Sequence, residues 1–435
     1  MRTILFIISL AIGAVLTAQQ NPTVAPAQTR SILIMNATAH IGDGSVIENA
    51  AIGFRNGKLD LVADARTIRL APNAYDETID ASGKHVYPGF IATNSTLGLH
   101  ELDAIRPAND VAETGSYKPG IRSAIAYNTD SEIIPTIRMN GVLMGQITPR
   151  GGVISGTSSV MQFDAWNWED ALIKADDGVH LNWPGVFHKH YDKGKVSVEK
   201  VKTYDQQLRE IHTFFNEARA YCSVKEPGVR ELRFEGLRGV FEGSQKLYVH
   251  ADDAKSIQES LNFKASQNIQ HMVIVGGYDA HLVADQLVAN KVPVLLRRLH
   301  ELPMYAEDDI DLPFKLPGML YKAGVLFALQ NEGDMERMGA RNLPFYAGTA
   351  AAYGLPYEEA VRSLTQSPAK ILGIDDQCGT LEAGKDATLF ISNGDALDMR
   401  TNAVTHAFIQ GRSIVLRSKQ TELYEKYKQK YDGKK

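Results

Sequence analysis

The sequence predicts an α/β chain in which a barrel of alternating strands and helices is inserted in a small β-domain made from both chain ends. Two patterns carry this. Short strands punctuated by turn residues lie at either end, and between them apolar, β-branched runs alternate with helical periodicity. The size agrees: 435 residues, 44% of them hydrophobic, suffice for one barrel-sized core and a smaller second unit. A net charge of −5 argues against a general nucleic-acid binder, which is normally basic.

At the N-terminus, Arg2 precedes an apolar run from Ile4 to Leu16, followed by Thr17-Ala18 and the polar Gln19-Gln20-Asn21. A basic start, a short apolar stretch and a small residue before a polar segment describe a secretory signal peptide over residues 1–18. The expected location is therefore exported, periplasmic or secreted, with no membrane association after signal removal. Residues 19–30 read as a Pro-containing polar linker. Cys222 and Cys378 are the two cysteines, and no Cys-x-x-Cys pair suggests a thiolate metal site.

The N-terminal part of the β-domain, residues 31–86, shows strand patterns at Ser31–Asn36, Thr38–Ile41, Ala50–Arg55 and Lys58–Ala63. Asn56-Gly57 joins the last two, and both residues tolerate the positive φ of a tight hairpin. Residues 87–378 form the barrel region, with buried-strand patterns at Gly141–Ile147, Lys246–His250, His271–Val275, Val292–Leu296 and Gly324–Leu329. Residues 379–417 return to β-pattern at Ala387–Ile391, Val404–Gln410 and Ser413–Leu416. Residues 418–435 read as a solvated charged helix or frayed tail, and 165–235 fit no element securely.

Several segments resemble the amidohydrolase superfamily, and within it the imidazolonepropionase-like branch. They are Asn56-Gly57-Lys58-Leu59, Pro88-Gly89-Phe90-Ile91, Thr148-Pro149-Arg150-Gly151-Gly152, Ser367-Pro368-Ala369-Lys370-Ile371-Leu372-Gly373 and Gly379-Thr380-Leu381-Glu382-Ala383-Gly384-Lys385-Asp386. The resemblance implies a TIM-type (β/α)8 barrel inserted in a small β-sandwich domain. It also implies hydrolysis of C–N bonds in non-peptide or cyclic amides by water that one or two divalent, zinc-type cations activate.

The ligand positions of that family are altered here. Where its first barrel strand carries Asp-x-His-x-His, this chain has Ala92, Asn94 and Thr96, whose side chains are weak zinc ligands or none. The sixth-strand histidine maps to Gly276 or Gly277, with Asp279 nearby as a candidate helix cap. The eighth-strand aspartate maps to Glu332, a candidate base beside Asp334. The fifth-strand histidine alone is matched, by His250, a candidate catalytic residue and metal ligand. His100 and His300 are further candidate ligands near the barrel mouth. His188-Lys189-His190 reads as a surface loop, Ser155–Ser159 as a flexible Gly/Ser loop, and Trp166–Asp170 as a pocket rim. The expected partner is a small-molecule substrate or ligand. Two readings follow: an exported hydrolase with an atypical metal site, or an inactive family member that binds in the barrel pocket.

Overall fold

The computed structural model describes residues 24–432 apart from 103–104, 193–194 and 227, so the expected signal peptide lies outside the described residues. In chain order the first strands are β1 (Ile32–His40), β2 (Val46–Arg55), β3 (Lys58–Asp64), β4 (Glu77–Asp80) and β5 (His85–Pro88). Then come β6 (Phe90–Ser95), β7 (Val142–Ile147), β8 (Ile154–Gln162) and β9 (Leu172–Asn182). A hairpin of β10 (Phe187–Asp192) and β11 (Lys195–Lys200) leads to helix α1 (Tyr204–Cys222). Next are β12 (Lys246–Ala251), α2 (Ala254–Ser266), β13 (Met272–Gly276), β14 (Val294–Leu296), α3 (Leu312–Lys322) and β15 (Phe327–Leu329). Last come β16 (Leu389–Ser392), β17 (Val404–Ile409), β18 (Arg412–Ser413) and α4 (Lys419–Asp432).

Both chain ends build one sheet in the order β18-β17-β16-β5-β1-β2-β3, with β4 also on β1. The Asn56-Gly57 hairpin forms as its residues demand, with φ of 52° and 80°. The two strands expected over 31–41 are one, bent at Asn36, whose φ is 65°. That bend divides β1: Ile32–Met35 pair with β4, and Thr38–Ala39 pair with β5. These strands form one hydrogen-bonded, branched sheet around a core of Ile34, Ile52, Phe54, Leu389, Ile391 and Phe408.

The second sheet runs β15-β14-β13-β12-β9-β8-β7-β6. A parallel bridge from Thr93 to Gln330 joins its two edge strands, bringing the eight strands close to a closed barrel. Its strands are parallel except β8, which is antiparallel to both β7 and β9. This corrects the uniformly parallel (β/α)8 expectation. It also corrects the reading of Ser155–Ser159 as a loop, because all nine residues of β8 are buried. Their polar side chains are satisfied internally: Thr157 Oγ1 donates to the Pro119 carbonyl at 2.8 Å, and Ser158 Oγ accepts from Gln146 Nε2 at 3.1 Å.

Residues 165–235 hold β9, the β10–β11 hairpin and α1, so His188 and His190 lie on a strand of a separate two-stranded sheet and not in a loop. The tail is the exposed helix α4. Cys222 and Cys378 are unpaired thiols, and burial pushes the Cys378 thiol up to about 12. No helix among the described residues is long and apolar enough to cross a membrane.

The described part of the expected linker is docked, not free. Ala25 is buried, and its N–H donates to Asp164 Oδ2 at 3.0 Å. Asp164 also accepts from Arg138 Nη1 at 2.6 Å and Arg412 Nη1 at 2.8 Å. One buried carboxylate thus ties barrel, C-terminal strand and N-terminal segment together. Breaking such a pair strands the remaining charges away from water. Asp164→Ala is therefore expected to cost about 3–5 kcal/mol, read as a lowered urea midpoint. A midpoint within error of the parent would refute that role.

Candidate functional site

The C-terminal ends of barrel strands converge on one mouth, where this architecture places its chemistry. Asn94 and Thr96 come from the end of β6 and Arg150 from the turn after β7. His180 comes from β9, His250 from β12, Gly276 from β13, and Glu332 from just beyond β15. A cavity of about 530 Å³ opens here, lined by His250, Asp252, Gly276 and Glu332 with an apolar wall of Trp183, Phe187 and Met304. Trp166, by contrast, is exposed and does not line this cavity.

The substituted first-strand positions are engaged. Asn94 Nδ2 donates to Glu332 Oε2 at 2.7 Å, while Asn94 Oδ1 accepts from Arg150 Nη1 at 3.0 Å. Arg150 Nη2 donates to the Asn94 carbonyl at 2.8 Å and to both oxygens of Glu336 at 3.1 and 3.0 Å. Thr96 adds its N–H and Oγ1 to Glu336 Oε1 at 2.7 and 3.1 Å. Arg150 Nε lies 3.8 Å from Glu332 Oε1, so one guanidinium faces two carboxylates. Burial alone would push the Glu332 carboxyl up. Arg150, His250 and the Asn94 amide outweigh it and hold the group well below the ordinary carboxylate range.

His250 is pinned from both sides. Its Nε2 lies 2.9 Å from His180 Nδ1, and its Nδ1 lies 3.8 Å from Glu332 Oε2. The His180 ring stacks on Tyr248, 4.6 Å between centroids and 5° from parallel. Tyr248 Oη in turn donates to the buried Asp177 at 2.5 Å. Burial, then the neighbouring His250 and Arg150, push the His180 imidazole well below its ordinary value, so it is held neutral.

Gly276 and Gly277 do more than omit a ligand. At Gly276 φ is +100°, and an added Cβ would lie 2.7 Å from Asp252 Oδ1. At Gly277 φ is +65°, and a Cβ would meet Val294 Cγ1 at 2.7 Å. A histidine at either position would strain a left-handed backbone and push Asp252 or Val294 aside. Asp279 does act as a cap, though for another helix: its Oδ2 accepts from the first N–H of α2 at 3.1 Å. The other candidate ligands are held elsewhere. His300 Nε2 bonds Thr349 Oγ1 at 2.7 Å, and His100 Nδ1 lies 3.2 Å from Arg337 Nη1.

A divalent cation at this mouth would find its donors already engaged. Asn94 Oδ1 and both Glu336 oxygens are committed to Arg150, and His250 Nε2 is committed to His180. Among the described residues no group of three or more His, Cys, Asp or Glu side chains could hold a metal ion. A dication roughly 4 Å from a guanidinium would be repelled by about 8 kcal/mol at an effective dielectric near 20. The residues present do not fit the cation that the family resemblance implies.

Arg150, His180, Glu336 and Asp252 are members of this site that the sequence reading did not assign. A signal existed for His180: like His250, it sits near the end of a short run leading to the barrel mouth, Gly178-Val179-His180-Leu181.

The held-neutral His180 sets a pH dependence. Below the ordinary histidine value of 6.5 the unfolded chain takes up a proton that the folded His180 refuses, so stability falls as pH falls. One such group contributes a slope of up to about 1.4 kcal/mol per pH unit. Glu332 adds little there: unfolded, its carboxyl loses its charge only as pH drops through the ordinary carboxylate range, and folded it keeps that charge to lower pH still. His180→Gln is thus expected to flatten the fall in Tm between about pH 6.5 and 5 relative to the parent. Identical slopes would show that His180 protonates freely.

The model of the family described as "Amidohydrolase family" matches residues 304–414. The amidohydrolase tasK of Hapsidospora irregularis is 24% identical over 178 residues, covering 40% of this chain and 18% of that protein's length. The crystal structure of an amidohydrolase from Thermotoga maritima MSB8 superposes with a TM-score of 0.75 at 25% identity, covering 89% of this chain and all of that one. An adenosine deaminase from Xanthomonas campestris, crystallised with bound zinc, shares the fold at 16% identity and a TM-score of 0.53, over 94% of this chain and 99% of its own. On these matches and the barrel they coincide with, the chain is similar to amidohydrolases in fold and, over its C-terminal part, in sequence.

Proposed function

We propose that the barrel mouth hydrolyses a C–N bond, of a non-peptide or cyclic amide type, in a small substrate. We place the chain in the imidazolonepropionase-like branch on the motifs quoted above. The observation that carries the proposal is His250, held between His180 and Glu332 on the wall of the 530 Å³ cavity. In this reading His250 takes the proton of the attacking water. The water oxygen adds to the substrate carbonyl carbon, and His250 returns the proton to the nitrogen as the C–N bond breaks. Glu332 serves by position: a carboxylate held so far below its ordinary range is a poor base, yet it stabilises the imidazolium that His250 becomes. Trp183, Phe187 and Met304 supply apolar contact for the rest of the substrate. The apolar run at Ile4–Leu16 supports export of the chain.

One observation favours a second reading, binding without turnover. The donors at this mouth do not suit a metal ion, and metal-activated water is a large source of rate in such chemistry. A single experiment separates the two. Purified protein is assayed against a panel of linear and cyclic amides for released amine, beside His250→Ala. Hydrolysis requires a measurable kcat/KM that falls by about 10²–10⁴ in the variant, with an unchanged circular-dichroism spectrum and melting curve. Parent and variant alike at background would leave binding as the role, to be read by ligand-dependent shifts in Tm.

A further inference from the structure

The barrel mouth contains a cation of its own, supplied by the chain. We infer that the Arg150 guanidinium takes the place of a divalent cation here, so that this mouth is assembled without metal and the repulsion between its two carboxylates is offset by the chain's own positive charge. This goes beyond the hydrolytic reading and holds whether or not the protein turns over a substrate.

Three independent observations carry it. The first is reach. The planar fork bonds Asn94 Oδ1 at 3.0 Å, the Asn94 carbonyl at 2.8 Å and Glu336 at 3.0 Å, and its Nε lies 3.8 Å from Glu332. One group therefore bridges the first strand, the turn after the second and the segment after the last, as a shared cation would. The second is charge. Glu332 and Glu336 both face this guanidinium, and the Asn94 and Thr96 donors complete their shells. The third is the pattern of substitution. An amide and a hydroxyl at 94 and 96 are suited to accepting from a guanidinium and donating to carboxylates, whereas imidazoles there would add two bulky rings to the same space. At Gly276 an added side chain would strain the left-handed backbone and displace Asp252, which is itself paired with Arg297 Nη1 at 3.2 Å.

The roles of Arg150 are then positional and electrostatic. It fixes the Asn94 amide, through which Glu332 is held at 2.7 Å, and it presents no open coordination site. Arginine suits this better than lysine because its donors are spread in a rigid plane that serves several acceptors at once.

The test uses the full chain, untagged and dialysed against metal-free buffer. Elemental analysis is expected to find less than about 0.1 zinc, manganese, iron, cobalt or nickel ion per chain, and neither EDTA nor zinc chloride should move Tm. One ion per chain surviving dialysis, or a Tm lowered by EDTA, would overturn the inference whatever the activity assay shows. Arg150→Met and Arg150→Lys separate charge from bulk. Both should melt below the parent, with the lysine variant recovering part of the loss because it restores the positive charge. A methionine variant equal to or more stable than the lysine variant would show that Arg150 merely fills space, and would sink the idea. Should Arg150→Met fail to fold, the metal content of the parent still decides.

Discussion

The seam between the first and last barrel strands is the constraint on which the rest of the mouth depends. A parallel pair separated by the whole length of the barrel cannot be closed by a local turn, and here it meets through one backbone bridge, Thr93 to Gln330. Side chains do the remaining work. Asn94 reaches Glu332, Thr96 reaches Glu336, and Arg150 binds across both, so the same contacts that close the barrel shape its pocket. In a metal-bound barrel the ion would draw these strand ends together. Here they are drawn together by hydrogen bonds, which are directional and individually modest, and so need several members acting at once.

That clasp rests on a polar core below it. Asp177 is fully buried, accepting from Tyr248 Oη, Gln146 Nε2 and Lys246 Nζ. Gln146 then passes the network upward, since its Oε1 accepts from the Asn94 N–H at 3.0 Å. A buried carboxylate is tolerable only when its lone pairs are filled in this way. Burial and the nearby Asp177 push the Tyr248 phenol far above its ordinary value, which keeps it a donor and leaves its ring free to support His180. The position of His250 is thus inherited from residues two layers beneath the cavity.

Much of the fold is legible in the sequence because burial on both faces leaves continuous apolar runs, as in Leu143–Met144, Val273–Ile274–Val275 and Leu295–Leu296. The β8 strand escapes that rule, since Ser155, Gly156, Thr157, Ser158 and Ser159 bury hydroxyls and backbone instead of apolar groups. Its reversed direction is equally invisible, because hydropathy records burial and not polarity of the chain. At the site, absences were readable and replacements were not. Asn94, Thr96 and Gly276 declare lost ligands, but Arg150 carries no periodic signal, and its role exists only once two distant strands meet. Glu332 illustrates the same limit: its identity suggests a base, whereas the Arg150 guanidinium and the Asn94 amide that hold its carboxyl below the ordinary range come from distant parts of the chain.

The end sheet has a consequence for how the protein comes into being. β5 pairs with β16, and some 300 residues separate Pro88 from Leu389 in the chain. At roughly 5–20 residues per second, β5 waits on the order of 15–60 s after emerging before its neighbour has been made. During that interval Val86 and Tyr87 sit on an open strand edge, which is a template for pairing with another nascent chain. The barrel folding between them is what shortens the search, because it delivers the two ends to the same side. A hazardous moment for this molecule therefore lies outside its barrel, in the wait for the strand that begins at Leu389.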